Sequence, residues 1–211
     1  MFVKSIMIPK EKCLTIDASA TVQEALQKLS EREIDALPVL ENGEYKGMFN
    51  QYLLYKTFFK SSLDKESFLS QTNVGDAIVR ENTYVPLDAV FEKAFIKLYD
   101  FPIIAVVDDE RKFLGIVSRH DTIVQFKSAF GMNSKGIRIT FTSVESEGRV
   151  LKMSDILHKY HTSIVSLVTF DETDKLVRRI VVKIDSDQYL ERILSDLEKT
   201  GFRVMHIDNE L

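Results

Sequence analysis

The residues of this chain best suited to chemistry stand in the run Gly115-Ile116-Val117-Ser118-Arg119-His120-Asp121. Ser118 falls where an amphipathic helix would begin. A helix start offers free backbone N–H groups and a partial positive charge, both suited to a phosphate. Arg119 adds a planar donor set that stays charged, and His120 can add charge at lower pH. Asp121, one turn inside, is an acceptor-only carboxylate that can take hydrogen bonds from two vicinal hydroxyls. The plainer reading is structural, with Ser118 as the N-cap and Asp121 as its partner near the positive helix end. On residue types alone both readings stay open.

Other reactive residues point to less. Cys13 is the only cysteine, so it forms no internal disulfide, and no His or acid supports it in a nucleophile motif. It reads as a buried structural thiol. His158 and His161 are three apart near a helix end, a spacing that can share a metal, but no third ligand accompanies them and no metal site is expected. The aromatic set Tyr52, Tyr55, Phe58 and Phe59 is expected to pack the core or a dimer interface. With no nucleophile–base constellation and no metal set, no catalytic residue is assigned and a non-enzymatic role is expected.

The elements that position Ser118 to Asp121 occur twice. Ala36-Leu37-Pro38-Val39-Leu40-Glu41, a polar turn, then Gly47-Met48-Phe49-Asn50-Gln51-Tyr52-Leu53 is matched by Ile103-Ile104-Ala105-Val106-Val107-Asp108, a polar turn, then Gly115 onward. The match extends upstream, where Val3-Lys4-Ser5-Ile6-Met7 is echoed by Val74-Gly75-Asp76-Ala77-Ile78. Two repeats are too few for a solenoid, so a pseudo-two-fold pair folding as one unit is expected. In the first, a short strand is expected over 14–16. Thr21 and Glu24 form a capping box, and Val22, Ala25, Leu26 and Leu29 make the stripe of an amphipathic helix. Strands over 37–40 and 47–50 turn at Asn42-Gly43, and a last helix carries Tyr52 to Phe59. In the second, an extended segment over 83–85 precedes a helix with Val90, Ala94 and Leu98 on one face and Phe91 and Phe95 beside it. A hairpin of 103–107 with 113–117 and a closing helix over 121–130 follow. The polar stretch 60–72 reads as a connector and 131–136 as a linker, Gly131 stopping the helix.

The pattern changes from Ile137. A strand over 138–141 precedes a helix with Val150, Leu151, Ile156 and Leu157. Segments 163–170 and 176–184 are Val- and Ile-rich, separated by the turn 171–175. A helix over 189–199 carries Leu190, Ile193, Leu194 and Leu197, Gly201 ends it, and 202–205 is a last strand. This βαββαβ order is the split-βαβ, ferredoxin-like unit.

The repeated block, with its Pro-Val strand and its Gly-x-x-Ser-x-x-Asp tail, resembles the cystathionine-β-synthase (CBS) domain, and the C-terminal segment is similar to an ACT domain. The resemblance implies an α+β chain: CBS repeat 1 over 1–60 and repeat 2 over 72–131, together a Bateman module, then an ACT-like domain over 137–211. The combination looks like the acetoin-utilisation type. It implies an adenine nucleotide as regulatory ligand in the cleft between the repeats, with no other cofactor, cyclic di-AMP being the first choice and AMP, ADP or ATP next. Ser118 would approach a phosphate and Asp121 would grip ribose hydroxyls, with Ile116, Arg119 and His120 beside them. Ile34, Asp35 and Ala36 would edge the adenine pocket, and Lys12, Cys13 and Leu14 would add backbone contacts. The pseudo-symmetric cleft (Phe101, Pro102, Ile103, Asn50, Leu53) has Leu53 where Asp121 stands, so one competent site per chain is expected. Gly148 sits where ACT domains carry a ligand-contacting glycine. The preceding Glu145-Ser146-Glu147 would repel a carboxylate, so Gly148 reads as a turn residue.

Bulk properties exclude other classes. Of 211 residues 45% are hydrophobic, and the net charge is −4 with both signs interspersed. No basic face suggests nucleic-acid binding, no apolar run suits a membrane span, and no signal-peptide pattern opens the chain. A cytoplasmic regulatory protein is expected, a homodimer that signals to a partner protein. Two alternatives are an amino-acid sensor working through the ACT-like domain and a scaffold with an empty cleft.

Overall fold

The computed structural model describes residues 2–77, 80–144, 146–172, 177–185 and 188–210. Ile78 of the upstream echo, Glu145 before Gly148, and residues 173–176 of the turn and strand lie outside them. The chain divides into two compact units, Met1–Ile123 and Val124–Leu211.

In the first unit each repeat builds one sheet. Strands β2 (Ile16–Asp17), β3 (Ala36–Glu41) and β4 (Glu44–Asn50) form the first, and β1 (Ile8–Pro9), β7 (Phe113–Ser118), β6 (Ile103–Val107) and β5 (Tyr84–Pro86) the second. Both sheets pair a parallel entry strand with an antiparallel hairpin: Ile16 faces Val39 and Tyr84 faces Ala105, while Val39 faces Gly47 and Val106 faces Gly115. Asn42 and Gly43 both have positive φ, the type I′ geometry that matches strand twist. The entry strand begins at Ile16 rather than Leu14: its pairing with β3 is confined to Ile16 opposite Val39 and Asp17 opposite Leu40.

The repeats exchange their leading segments. β1 joins the second repeat's sheet, with Ile8 opposite Ile116, and the Val3 N–H donates to Ala89 O. Reciprocally, the Val74 and Gly75 N–H groups donate to Ala20 O and Ala18 O in the first repeat. Val3 and Val74, the matched residues of the upstream echo, are both fully buried. Gly115 is required by this exchange: a Cβ there would collide with the Ile8 carbonyl oxygen. Between the sheets lies a core of Ala36, Tyr45, Met48, Phe101, Ala105, Val107 and Phe113 drawn from both repeats. The buried Tyr45 hydroxyl donates to Thr83 O at 3.0 Å across the repeats.

Helix α1 (Val22–Glu31) starts on the expected capping box: Thr21 accepts from the Glu24 N–H at 3.2 Å, and Glu24 returns a bond to the Thr21 N–H at 2.7 Å. Val22, Ala25 and Leu29 are buried. Helix α2 (Gln51–Phe58) departs from the core reading, since Tyr52, Tyr55 and Phe59 are exposed and only Leu54 is buried. The presumed connector contains helix α3 (Lys65–Gln71), capped by Asp64, whose Phe68 is buried in the first repeat's core. Phe68 and the partly buried Leu69 dock it on that core, with Phe58 and Phe68 ring centroids 5.2 Å apart. After the one-turn helix α4 (Val74–Ala77), helix α5 (Phe91–Leu98) buries Phe91, Ala94 and Leu98. Val90 is its exposed N-cap, so the buried face starts one residue later than expected. Helix α6 (Arg119–Ala129) begins directly after β7.

The second unit has strands β8 (Gly136–Val144), β9 (Ile164–Glu172), β10 (Val177–Ile184) and β11 (Arg203–Glu210) in the order β11-β8-β10-β9, all antiparallel. With helices α7 (Arg149–Lys159) and α8 (Leu190–Lys199) this is the ferredoxin-like arrangement. Ile137, Ile139 and Phe141 of β8 and Ile180, Val182 and Ile184 of β10 meet Met153, Leu157, Ile193 and Leu197 in its core. Val150 and Leu151, expected on the helix stripe, are exposed, and Met153 takes the buried position.

Candidate functional site

Ten of the eleven residues singled out from sequence line one cleft of about 420 Å³ in the first unit. One wall is the exchanged N-terminal segment, with Ile8, Lys12, Cys13 and Leu14. Gly115 makes this wall possible by letting β1 lie against β7. Ile34, Asp35 and Ala36 at the start of β3 also line it. So do Ile116, Pro102 and Ile103, and Ser118, Arg119 and His120 at the junction of β7 and α6.

Asp121 is the exception. It does not line the cleft; its backbone N–H donates to Ser118 Oγ at 3.0 Å, and the Ser118 hydroxyl donates back to its carboxylate. In the structure the pair is thus a closed helix cap, the plainer of the two readings. That cap still leaves the start of α6 facing the cleft, with Arg119 and His120 exposed beside it. The Arg119 guanidinium is partly committed, with Nε donating to Leu98 O at 3.2 Å and Nη2 to Tyr99 O at 3.4 Å at the end of α5. Cys13 is half-buried, and its thiol donates to Ile8 O at 3.4 Å and Pro9 O at 3.3 Å. Burial pushes that thiol above its ordinary pKa, partly offset by a backbone hydrogen bond from Ile116. The thiolate, the nucleophilic form, is therefore disfavoured.

The family model for the CBS domain matches this chain twice, at residues 3–55 and 74–125. This chain carries a tandem pair of CBS domains. Solved CBS structures share the fold. A hypothetical conserved protein from Geobacillus kaustophilus is 23% identical, with a TM-score of 0.55 over 60% of this chain and 96% of that one. The protein CBSX2, solved in complex with AMP, is 26% identical with a TM-score of 0.51, over 60% of this chain and 98% of its own. CbpB, solved in complex with c-di-AMP, is 18% identical with a TM-score of 0.54, over 61% and 85%. A search of curated proteins found no match to the sequence.

The CBS pair is not symmetric at its clefts. A neighbouring cavity of about 610 Å³ contains Asn50, Gln51, Tyr52, Leu29 and Ser30, and shares Glu33, Ile34, Asp35, Pro102 and Arg119 with the first. The expected lining of the second cleft is corrected in three places. Phe101 is buried between the sheets with the Arg80 guanidinium 5.6 Å from its ring centre, Leu53 packs against both core clusters, and Ile103 belongs to the first cleft. Asn50 caps α2 by accepting from the Leu53 N–H at 2.9 Å.

Sequence reasoning missed Glu33, Pro102, Ile8 and Ile103 on the first cleft. Pro102 and Ile103 could have been found by aligning Asp35 and Ala36 onto the second repeat. Glu33 carried no motif signal; it sits in a turn with φ of 51°. Elsewhere, His158 and His161 lie with ring centres 6.4 Å apart, and no group of three His, Cys, Asp or Glu among the described residues could hold a metal. Among the described residues no helix is long and apolar enough to cross a membrane. Gly148 has φ of 78° and opens α7. Arg149 beside it is held by Ser143 Oγ, by Thr200 O at 2.9 Å, and over the Phe202 ring at 4.2 Å.

Proposed function

We propose that this protein is a non-enzymatic regulator whose CBS pair binds an adenine nucleotide in the cleft between β1, β3 and the start of α6. The observation that carries the reading is the gathering of the N-terminal wall, the β3 edge and the α6 start with Arg119 around one cleft, where the positive end of the helix suits a phosphate. In this reading Ile34 to Ala36 edge the base, Ser118 and Arg119 meet a phosphate, and Asp121 turns from Ser118 to the ribose hydroxyls. CBSX2 with AMP and CbpB with c-di-AMP support an adenine ligand by analogy of fold; cyclic di-AMP remains the first choice, AMP, ADP or ATP next. The ferredoxin-like unit is read as ACT-like, and the exposed Tyr52, Tyr55 and Phe59 of α2 as part of a homodimer face. A nucleotide can signal through these only by its differential affinity for two states of the protein.

A thermal-shift panel of AMP, ADP, ATP, S-adenosylmethionine and cyclic di-AMP tests the reading, followed by calorimetry on the stabilising ligands. Stabilisation by at least one adenine ligand is expected. A folded protein that responds to none refutes it and leaves the scaffold alternative.

A further inference from the structure

The wall shared by the two neighbouring cavities carries two carboxylates, Glu33 and Asp35, and one cation, Arg119. Two of the guanidinium donors of Arg119 are already given to the α5 carbonyls Leu98 O and Tyr99 O. In the first cleft Lys12 stands with Arg119, against the same two acids. In the neighbouring cavity Arg119 is the one cation on the lining, beside the neutral Asn50, Gln51 and Tyr52.

We infer that Glu33 and Asp35 make this cleft selective for adenine ligands with isolated phosphates, a monophosphate or a cyclic dinucleotide, over nucleoside polyphosphates. The inference rests on the proposed nucleotide reading. A single phosphate at the α6 start is served by the positive end of the helix and by the Arg119 guanidinium on the cleft lining. A second and third phosphate reaching toward the neighbouring cavity add negative charge beside two carboxylates with no further cation to pair them. Like charges a few ångströms apart at a protein surface repel enough to change binding severalfold each, and salt screens that repulsion. An uncharged base or sugar meets no such penalty, and the exposed Tyr52 ring offers it a face.

The test is calorimetry of AMP, ADP and ATP, free of divalent cations, on the full chain and on its Glu33→Gln/Asp35→Asn variant, at roughly 50 and 300 mM salt. Affinity is expected to fall from AMP to ADP to ATP, with ATP at least about tenfold weaker at low salt. The gap should shrink to within about threefold in the variant and narrow at high salt. ATP binding the wild type as tightly as AMP overturns the selectivity while leaving the nucleotide site standing. A gap that the variant does not change overturns the assignment to these two carboxylates. Failure of all three nucleotides and of cyclic di-AMP to bind a folded wild type overturns the site itself. Circular dichroism checks the double variant; should it not fold, Glu33→Gln alone and the salt dependence decide.

Discussion

Replacing Asp121 with alanine separates the two readings of the α6 start. The Asp121 carboxylate accepts the Ser118 hydroxyl while Ser118 Oγ accepts the Asp121 N–H at 3.0 Å. The alanine variant keeps that N–H, so the cap from Ser118 survives. What stability loses is the interaction of a half-buried acid with the helix start, about 0.3–1 kcal/mol, a fall in thermal midpoint of a few degrees. Binding loses more. If the carboxylate leaves Ser118 for two ribose hydroxyls, their removal costs about 1.5–3 kcal/mol, roughly a 10- to 150-fold rise in dissociation constant. Ser118→Ala has the opposite profile: it forfeits the cap, about 1 kcal/mol of stability, but the α6 N–H groups still hold a phosphate, so affinity falls less. Calorimetry with AMP and cyclic di-AMP, beside thermal melts of each variant, reads both quantities. If both variants melt earlier yet neither changes affinity more than about twofold, Ser118 and Asp121 are a capping box alone.

Leu53→Ala, at the position matching Asp121, is expected to cost about 1–3 kcal/mol through lost packing and to leave nucleotide affinity within about twofold; a melt and a titration measure the two. Phe68→Ala should destabilise the first unit by about 3–5 kcal/mol, since Phe68 is buried in the first repeat's core; a denaturant midpoint near wild type would mean that α3 is a dispensable connector. Cys13 should alkylate slowly with iodoacetamide and speed up only at a pH above that of an ordinary thiol, because burial raises its pKa and the thiolate is the reacting form. Because Cys13 lines the cleft, bound nucleotide should slow the reaction severalfold, as followed by mass spectrometry.

What was legible in the sequence was local or repeated. The Thr21–Glu24 capping box, the Asn42-Gly43 hairpin and the βαββαβ order each depend on residues a few positions apart, and each stands in the structure. The cleft residues were legible through a family motif, which places strand ends and a helix start together without knowledge of the packing. Illegible features depend on tertiary partners. α3 is polar at every position but Phe68 and Leu69, so periodicity had nothing to report until a core was there to receive them. Val90 was placed on one face with Ala94 and Leu98, but it is the extended N-cap before the helix and so does not share the buried face that the other two keep. The exposure of Tyr52, Tyr55 and Phe59 follows from α2 meeting the core along Leu53, Leu54 and Phe58, which leaves the other side uncovered. The commitment of Arg119 to α5 joins residues about twenty apart in sequence, which no motif encodes.

The duplication explains why binding is proposed in one half only. A pseudo-two-fold pair gives each hairpin the same ladder and each closing helix the same polar cap, Asn50 in one repeat and Ser118 in the other. The scaffold alone therefore offers two equivalent helix starts. They diverge three residues on, at Leu53 and Asp121. Leu53, partly buried, is drawn into contact with the core of its own repeat and with the core between the sheets, so a carboxylate there would give up that apolar packing and meet a desolvation cost. Asp121 is likewise partly buried, but its carboxylate accepts from the Ser118 hydroxyl, a bond that a ligand's hydroxyls can replace. The same symmetry that makes the pair stable thus leaves one position per repeat to decide whether a helix start serves packing or is free to meet a ligand.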